Sequence, residues 1–442
     1  MSETKDTDFR KIIFLSILII IMLSILAQGC DEKCVGPTIT VYEPVFATRN
    51  EVMSTADFIG PAPIEMPGKI YFKDNYLFLN EYDKGIHVID NTNPIHPEVI
   101  GFIDIPGNKD LAAKGNYLYA DNYLDLVVFD ITEKKNIFET NRIENVFDQY
   151  YWYDESQGGI MIDQIATEVE YQDCEGNYLD IPYGHYGGWG WFAEDALGSP
   201  SRLVNTANSS TSGAGIGGSL ARFTITDDFL YTVNEWRMKI FNIGIGDSPV
   251  EGENVDLGWG IETIFPYDDK LFLGARSGMH IYDNSTPSLP QYVSTYAHIN
   301  TCDPVVVQGD YAYVTLRSGT ECETFTNQLD VIDVSDVSSP SLVSTFEMEN
   351  PHGLGIDGDC LFISEGAYGL KLFNASDPLT IGNSLIHHHT DVHALDVIPL
   401  NNILMMIGED GLHQYVYDCN DQLQLISSIY FSTTTNHMTS GK

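Results

Sequence analysis

Short apolar runs closed by Asp or Asn recur along this chain at intervals of about 40 residues, the length of one four-stranded unit of a closed ring. Gly85-Ile86-His87-Val88-Ile89-Asp90, Leu126-Val127-Val128-Phe129-Asp130 and Met279-His280-Ile281-Tyr282-Asp283 show the pattern. Around each run the sequence predicts three more strands. In the first unit they are Lys69 to Phe72, Tyr76 to Asn80 and Val99 to Ile103, with Ile86 to Ile89 as the third of the four. β-Branched and aromatic residues fill them, and Asn, Asp, Gly or Pro separates them. Turn signals fall between the first two strands, as in Lys73-Asp74-Asn75, Lys114-Gly115-Asn116 and Asn401-Asn402. Gly and Asn there relieve positive φ. A second turn follows the third strand, as in Asn91-Thr92-Asn93-Pro94 and Asn284-Ser285-Thr286-Pro287.

The units span 68–107, 108–147, 220–260, 261–302, 303–353, 354–394 and 395–431. A single four-stranded sheet cannot bury both its faces, but seven packed around an axis can. The prediction is an all-β, seven-bladed β-propeller of four-stranded antiparallel blades over 68–431, with an irregular insertion, 148–219, after the second blade. A β-sandwich or an open solenoid is the alternative. The third unit is the weakest, since Lys239-Ile240-Phe241-Asn242 is short of apolar residues and no proline-containing turn is read after it.

Leu329-Asp330-Val331-Ile332-Asp333, Leu126 to Asp130, Tyr311-Ala312-Tyr313-Val314 and Pro340-Ser341-Leu342-Val343 resemble the LVIVD-repeat family over most of 68–431. That resemblance implies an exported or surface-anchored propeller and implies no activity, because members are mostly of unknown role.

The first residues speak to location. Ile12 to Ala27 is a 16-residue apolar run behind Arg10-Lys11, the size of an export signal and short for a bilayer span. Ala27 and Gly29 before Cys30 resemble the lipobox of bacterial lipoproteins, with Leu26 one place early. The reading is a signal peptide over 1–29, cleavage before a lipidated Cys30, an anchor and arm over 30–67, and a tail over 432–442; an uncleaved signal anchor is the other possibility. Asp31-Glu32 resembles the signal that carries lipoproteins of the Bacteroidetes type to the outer-membrane surface.

Asp and Glu number 63 against 22 Lys and Arg, a net charge of -41. Nucleic acid and anionic lipid are therefore poor partners, whereas a neutral or basic one is allowed. Such self-repulsion makes a structural Ca2+ a reasonable cofactor, though no Asp-x-Asp-x-Asp-Gly loop places it. No other cofactor is predicted. With Cys30 lipidated, six cysteines remain, and an exported chain favours their oxidation. Strand placement suggests Cys302 with Cys322 on the funnel face and Cys360 with Cys419 on the opposite face. Cys34 and Cys174 are left to fasten the arm to the insertion.

Two candidate binding regions emerge. The insertion carries Tyr151, Trp152, Tyr186, Trp189 and Trp191 among glycines, a composition that suits either a recognition surface or a small local core. Its Gly/Ser tract from Ser209 to Ser219 reads as a flexible return strap and not as a phosphate loop, lacking the Lys-Thr/Ser that would follow. The second region is the funnel mouth, where connections between blades and between second and third strands emerge. Alignment puts Lys109, Trp259, Asp303, His352 and His393 just before first strands, and Glu81, Asn122, Glu235, Arg276, Arg317, Glu365 and Glu409 just after second strands.

His387-His388-His389 invites a metal reading, but an extended segment aims successive side chains to opposite sides, so at most two could serve one ion. No Gly-x-Ser-x-Gly elbow or His-Glu-x-x-His helix occurs. The sequence supports a non-catalytic, lipid-anchored surface propeller that binds an extracellular or outer-membrane protein, or a glycan. The alternative is a carbohydrate-active or metal-dependent hydrolase with its site in the funnel.

Overall fold

Every repeat folds into an antiparallel sheet whose first four strands in chain order lie side by side. The computed structural model describes residues 38–53, 56–147, 153–154, 158–170, 214–217, 219, 221–297, 304–317 and 327–431. The seven blades occupy 67–104, 111–143, 223–256, 261–297, 305–347, 354–389 and 396–430. First strands of consecutive blades, from the first blade to the seventh, touch one another and so line the axis. The chain is an all-β seven-bladed propeller.

The Asp or Asn that closes each apolar run has a mechanical task. Its side-chain oxygen accepts the N–H two residues on and starts the outer turn. The bonds are Asp90 from Thr92 (3.0 Å), Asp130 from Thr132 (2.7 Å), Asn242 from Gly244 (3.0 Å) and Asp283 from Ser285 (3.3 Å). Asp333 from Ser335 (2.9 Å), Asn374 from Ser376 (2.9 Å) and Asp418 from Asn420 (2.8 Å) complete the set. Hydrogen bonds from these turns hold the carboxyls of Asp90, Asp283, Asp333 and Asp418 below the usual aspartate range. In the same turns a backbone N–H reaches back to the first hairpin, as Asn91 does to the Asn75 carbonyl at 2.9 Å and Asn284 to Asp269 at 2.7 Å. The two turns on that face of each blade are thereby locked together.

The pairing of third and fourth strands slips register in six of the seven blades, at Val88/Ile89 in the first and at Gln414/Tyr415 in the seventh, for example. A bulge at that position twists the edge strand, which discourages another chain from adding to it. The first blade is extended at both edges. Asp57–Ile59 pairs outside its fourth strand, so part of the segment assigned to the arm belongs to the propeller. Ile216–Gly217 pairs inside its first strand, Pro67–Lys73.

That inner pairing corrects the view of the Gly/Ser tract as a flexible strap, at least over 214–217. Ala214 bridges Lys114 of the second blade, the Gly215 N–H donates to the Ala113 carbonyl at 2.9 Å, and Ile216 faces Phe72. A Cβ on Gly215 would stand 2.3 Å from the Tyr71 ring and 2.6 Å from the Phe72 carbonyl. Only glycine lets the backbone come so close. The third blade also differs from expectation. Its third strand, Arg237–Asn242, is regular, and its outer turn does end in a proline, Pro249, at the place of Pro97 and Pro340. Its fourth strand is split into Val250–Glu251 and Val255–Asp256.

The ring closes by packing and a few hydrogen bonds, with no shared strand among the described residues. Ile70, Leu77, Leu79 and Ile89 of the first blade share one buried cluster with Ile398, Met405, Ile407 and Leu412 of the seventh. At the outer end of this seam Asn91 and Gln414 exchange two amide hydrogen bonds of 3.0 and 2.7 Å, and Ser427 donates to the Pro94 carbonyl at 2.6 Å. A five-residue helix, Arg49–Met53, precedes the first blade. Thr38–Ala47, Gly159–Glu170 and Tyr153–Asp154 make a three-stranded sheet. Residues 38–44 and 164–170 belong to a second unit of the chain, and they are extended.

Candidate binding face

Charged residues that sequence reading passed over sit where the first strands begin. Lys69, Asp110 and Arg222 occupy one register position in the first three blades, each just ahead of the first core residue, Ile70, Leu111 or Phe223. Lys69 Nζ donates to Asp110 Oδ2, which also accepts the N–H groups of Arg222 (2.5 Å) and Phe223 (3.1 Å), while Oδ1 accepts that of Leu111 at 2.7 Å. One layer out, Asp121 Oδ1 accepts from Asn108 Nδ2 (2.7 Å) and from the N–H groups of Lys109 and Asp110 (both 2.9 Å), and Asn80 donates to Asn108 Oδ1 at 2.8 Å. Burial holds the Lys69 ammonium down to about 8 against the pull of Asp110, and burial pushes the Asp121 carboxyl up to about 6. A void of about 10 Å³ among Lys69, Tyr71, Asp110 and Gly217 has room for one water at most. The network welds three blades together, and the sequence signal for it was a charge at one aligned core-flanking position in three consecutive repeats.

At the funnel mouth, the predicted residues meet as local pairs. Glu81 accepts the Met66 N–H at 2.7 Å and lies 3.1 Å from His87 Nε2. Burial pushes this carboxyl up, but the His87 contact and the backbone donors outweigh it and hold it below the ordinary range. Glu365 repeats the arrangement in the sixth blade, accepting the N–H groups of Glu349 (2.9 Å) and Asn350 (3.2 Å) and Lys371 Nζ (3.1 Å). Burial, and then Glu349, raise the Glu365 carboxyl. Asn122 donates to the Pro106 carbonyl at 2.6 Å and accepts from Arg142 at 2.5 Å. Lys109 Nζ reaches the Tyr82 hydroxyl at 3.1 Å, Arg317 lies 3.0 Å from His352 Nδ1, and His393 Nε2 lies 3.5 Å from Glu409.

Glu235 and Arg276 pair across the third and fourth blades at 3.5 Å, and Arg276 also meets Glu262 at 3.2 Å. The Arg276 guanidinium stands 5.2 Å from the centre of the Trp259 ring. A second indole that sequence reading missed, Trp236, lies 6.5 Å from Trp259 at an interplanar angle of 57°. Both tryptophans are about half exposed, 51% and 47%. They stand on the same mouth because Trp236 lies in the turn after a second strand and Trp259 in the connection between blades.

His387 and His389 fall on one side of their strand, rings 6.0 Å apart, and His388 on the other, where its Nε2 lies 2.8 Å from the Tyr368 carbonyl. No group of three or more His, Cys, Asp or Glu arranged to hold a metal is found among the described residues. Cys360 and Cys419 are joined in a disulfide between the sixth and seventh blades, with Cα atoms 5.0 Å apart. Cys30, Cys34, Cys174, Cys302, Cys322 and Asp303 lie outside the described residues, as do Tyr151, Trp152, Tyr186, Trp189 and Trp191.

Residues 107–143 and 300–347 match the LVIVD repeat. This propeller has an LVIVD-repeat region. The two matched stretches overlap the second and fifth blades, where the closing runs are Leu126 to Asp130 and Leu329 to Asp333. No curated protein matches the chain. Among solved structures, a computationally designed protein named Ika8 is similar at TM-score 0.47 and 10% identity, covering 86% of this chain and 92% of its own. Kluyveromyces lactis Hsv2 follows at 0.45 and 11%, covering 83% and 100%. BamB from Moraxella catarrhalis is similar at 0.44 and 8%, covering 86% and 96%.

Proposed function

We propose that this protein is a non-catalytic, lipid-anchored propeller of the outer-membrane surface, which holds a protein or glycan partner on its funnel mouth and serves as a component of a membrane assembly. The observation that carries this reading is the contrast at the mouth. Glu81, Glu235, Glu365 and Arg317 are engaged with neighbouring side chains or backbone, while two indoles face water. Exposed aromatics held on rigid turns suit recognition. The disulfide between Cys360 and Cys419 supports an oxidising compartment.

The hydrolase alternative rests on Glu349 and Glu365, whose carboxyls are driven apart, Glu365 up by burial and Glu349 down by its bond to Glu365. Such a split suits acid and base roles. Lys371 bridges the two, however, and Glu365 is wholly buried, which favours a structural role equivalent to that of Glu81.

Two experiments test the reading. A photoreactive phenylalanine analogue at Tyr368, exposed on the funnel mouth, is expected to give a discrete cross-linked species in intact cells. The same analogue at Ile245, exposed on the opposite face, is expected to give none. Equal labelling from both faces, or none from either, removes the funnel reading. For the anchor, radiolabelled palmitate is expected to enter the wild-type chain and not Cys30→Ala; label in both would place the lipid elsewhere.

A further inference from the structure

We propose that Trp236 and Trp259 form a docking site for a basic protein segment, with a Lys or Arg side chain lying against the open indole surface. This rests on the binding reading above and names the chemistry of the partner. Two half-exposed indoles side by side are an uncommon use of large apolar surface, since leaving them in water forgoes their burial. Backbone bonds fix both before any partner arrives. The Trp236 N–H donates to Asn234 Oδ1 at 2.9 Å, and the Leu257 N–H to the Trp236 carbonyl at 2.8 Å. The Arg276 N–H donates to the Gly260 carbonyl at 2.9 Å, pinning the turn that carries Trp259. Preorganisation of this kind lowers the entropic cost of association.

Charge selects the occupant. A guanidinium from the protein itself already stands over Trp259, which shows that the ring accepts a cation at this spot. Around the rings Lys239, Arg237 and Arg276 pair with Glu251, Asp256 and Glu262, and Glu235 and Glu253 leave the acids in excess, five to three. Elsewhere on the mouth the acids outreach their partners. Side chains of Asp391, Glu409 and Asp410 are 84%, 57% and 49% exposed, whereas those of the His389, His393 and His413 beside them are 33%, 25% and 4% exposed. An incoming cation thus meets aromatic faces within a negative field that also speeds its approach. A sugar is less well served, because Arg276 holds Glu235 and Glu262 and Arg237 holds Asp256, the carboxylates within three residues of the two rings.

The test uses the full-length protein in detergent micelles. Its probes are a twelve-residue peptide alternating Gly with Lys or Arg, the Gly/Glu counterpart, and maltohexaose and cellohexaose, each followed by titration calorimetry at low salt. The basic peptide is expected to bind, and Trp236→Ala with Trp259→Ala to weaken it about tenfold or more. Trp236→Phe is expected to retain most of the affinity. These substitutions leave the net charge untouched, so attraction to the acidic chain at large would survive them. Unchanged affinity in the double variant overturns the site, as does binding of a hexaose or the acidic peptide in place of the basic one. Should the double variant melt early, Trp236→Ala alone decides, since that side chain stands half in water. A peptide indifferent to both tryptophans, together with a persisting cross-link from Tyr368, would remove this site and leave the funnel reading standing.

Discussion

Asp110→Ala is expected to lower the stability of the propeller by about 3–5 kcal/mol, read as a fall in the urea midpoint. The carboxylate takes Lys69 and three backbone N–H groups from two blades, and all four lose their acceptor at once. Asp110→Asn keeps an acceptor oxygen and should cost less than half as much. The deficit of the alanine variant should also depend on pH. Burial already holds Lys69 down to about 8 from an ordinary 10.5, and without Asp110 it falls further. The folded chain then releases a proton that the unfolded chain keeps until about pH 10.5, so the unfolded state binds more protons and stability rises with pH. The loss should shrink as the pH rises to about 8 and change little above that, where Lys69 of the folded wild type gives up its proton as well. A midpoint unchanged from wild type at pH 7 would show that Asp110 is not the hub described.

Removing the disulfide should cost nearly as much. Cys360 and Cys419 close a loop with a sequence separation of 59 residues, for which chain entropy gives about 4 kcal/mol. Cys360→Ala with Cys419→Ala is expected to lower the melting temperature relative to the oxidised wild type. Reductant should bring the wild type down towards the variant and leave the variant's sixth and seventh blades unaffected. Equal melting of variant and oxidised wild type would mean that the bridge adds nothing to the seam between those blades.

Much of this architecture was legible because its period is local. Apolar alternation set the strands, and the Asp or Asn at the end of each run marked the outer turn that its own side chain begins, from Asp90 to Asp418. Pairings that join distant stretches of chain were not legible. Ile216–Gly217 slips inside the first blade because Gly215 permits contact with Tyr71, and nothing in the periodicity announces it. At the mouth, alignment picked out positions but not their chemistry. Glu81 ends its second strand and Glu365 follows directly on its own, and burial and backbone donors make both of them braces for the segments ahead of the first strands. Trp236 was passed over because it falls inside the turn after the third blade's second strand, next to the aligned Glu235. Lys69 and Asp110 were passed over because a charge beside a core strand looks like ordinary surface until its neighbour blade covers it.

The seam between the first and seventh blades has an evolutionary corollary. Among the described residues neither blade borrows a strand from the other end of the chain; what joins them is a shared apolar face and the Asn91–Gln414 amide clasp. The four ring-forming strands of each wedge are therefore encoded as one block, and outside the first wedge, whose sheet also takes Ile216–Gly217, copying or deleting such a block in the gene severs no sheet among the described residues. In a ring built this way the number of wedges is free to drift between descendants, with each new circle needing only a compatible pair of faces where its ends meet.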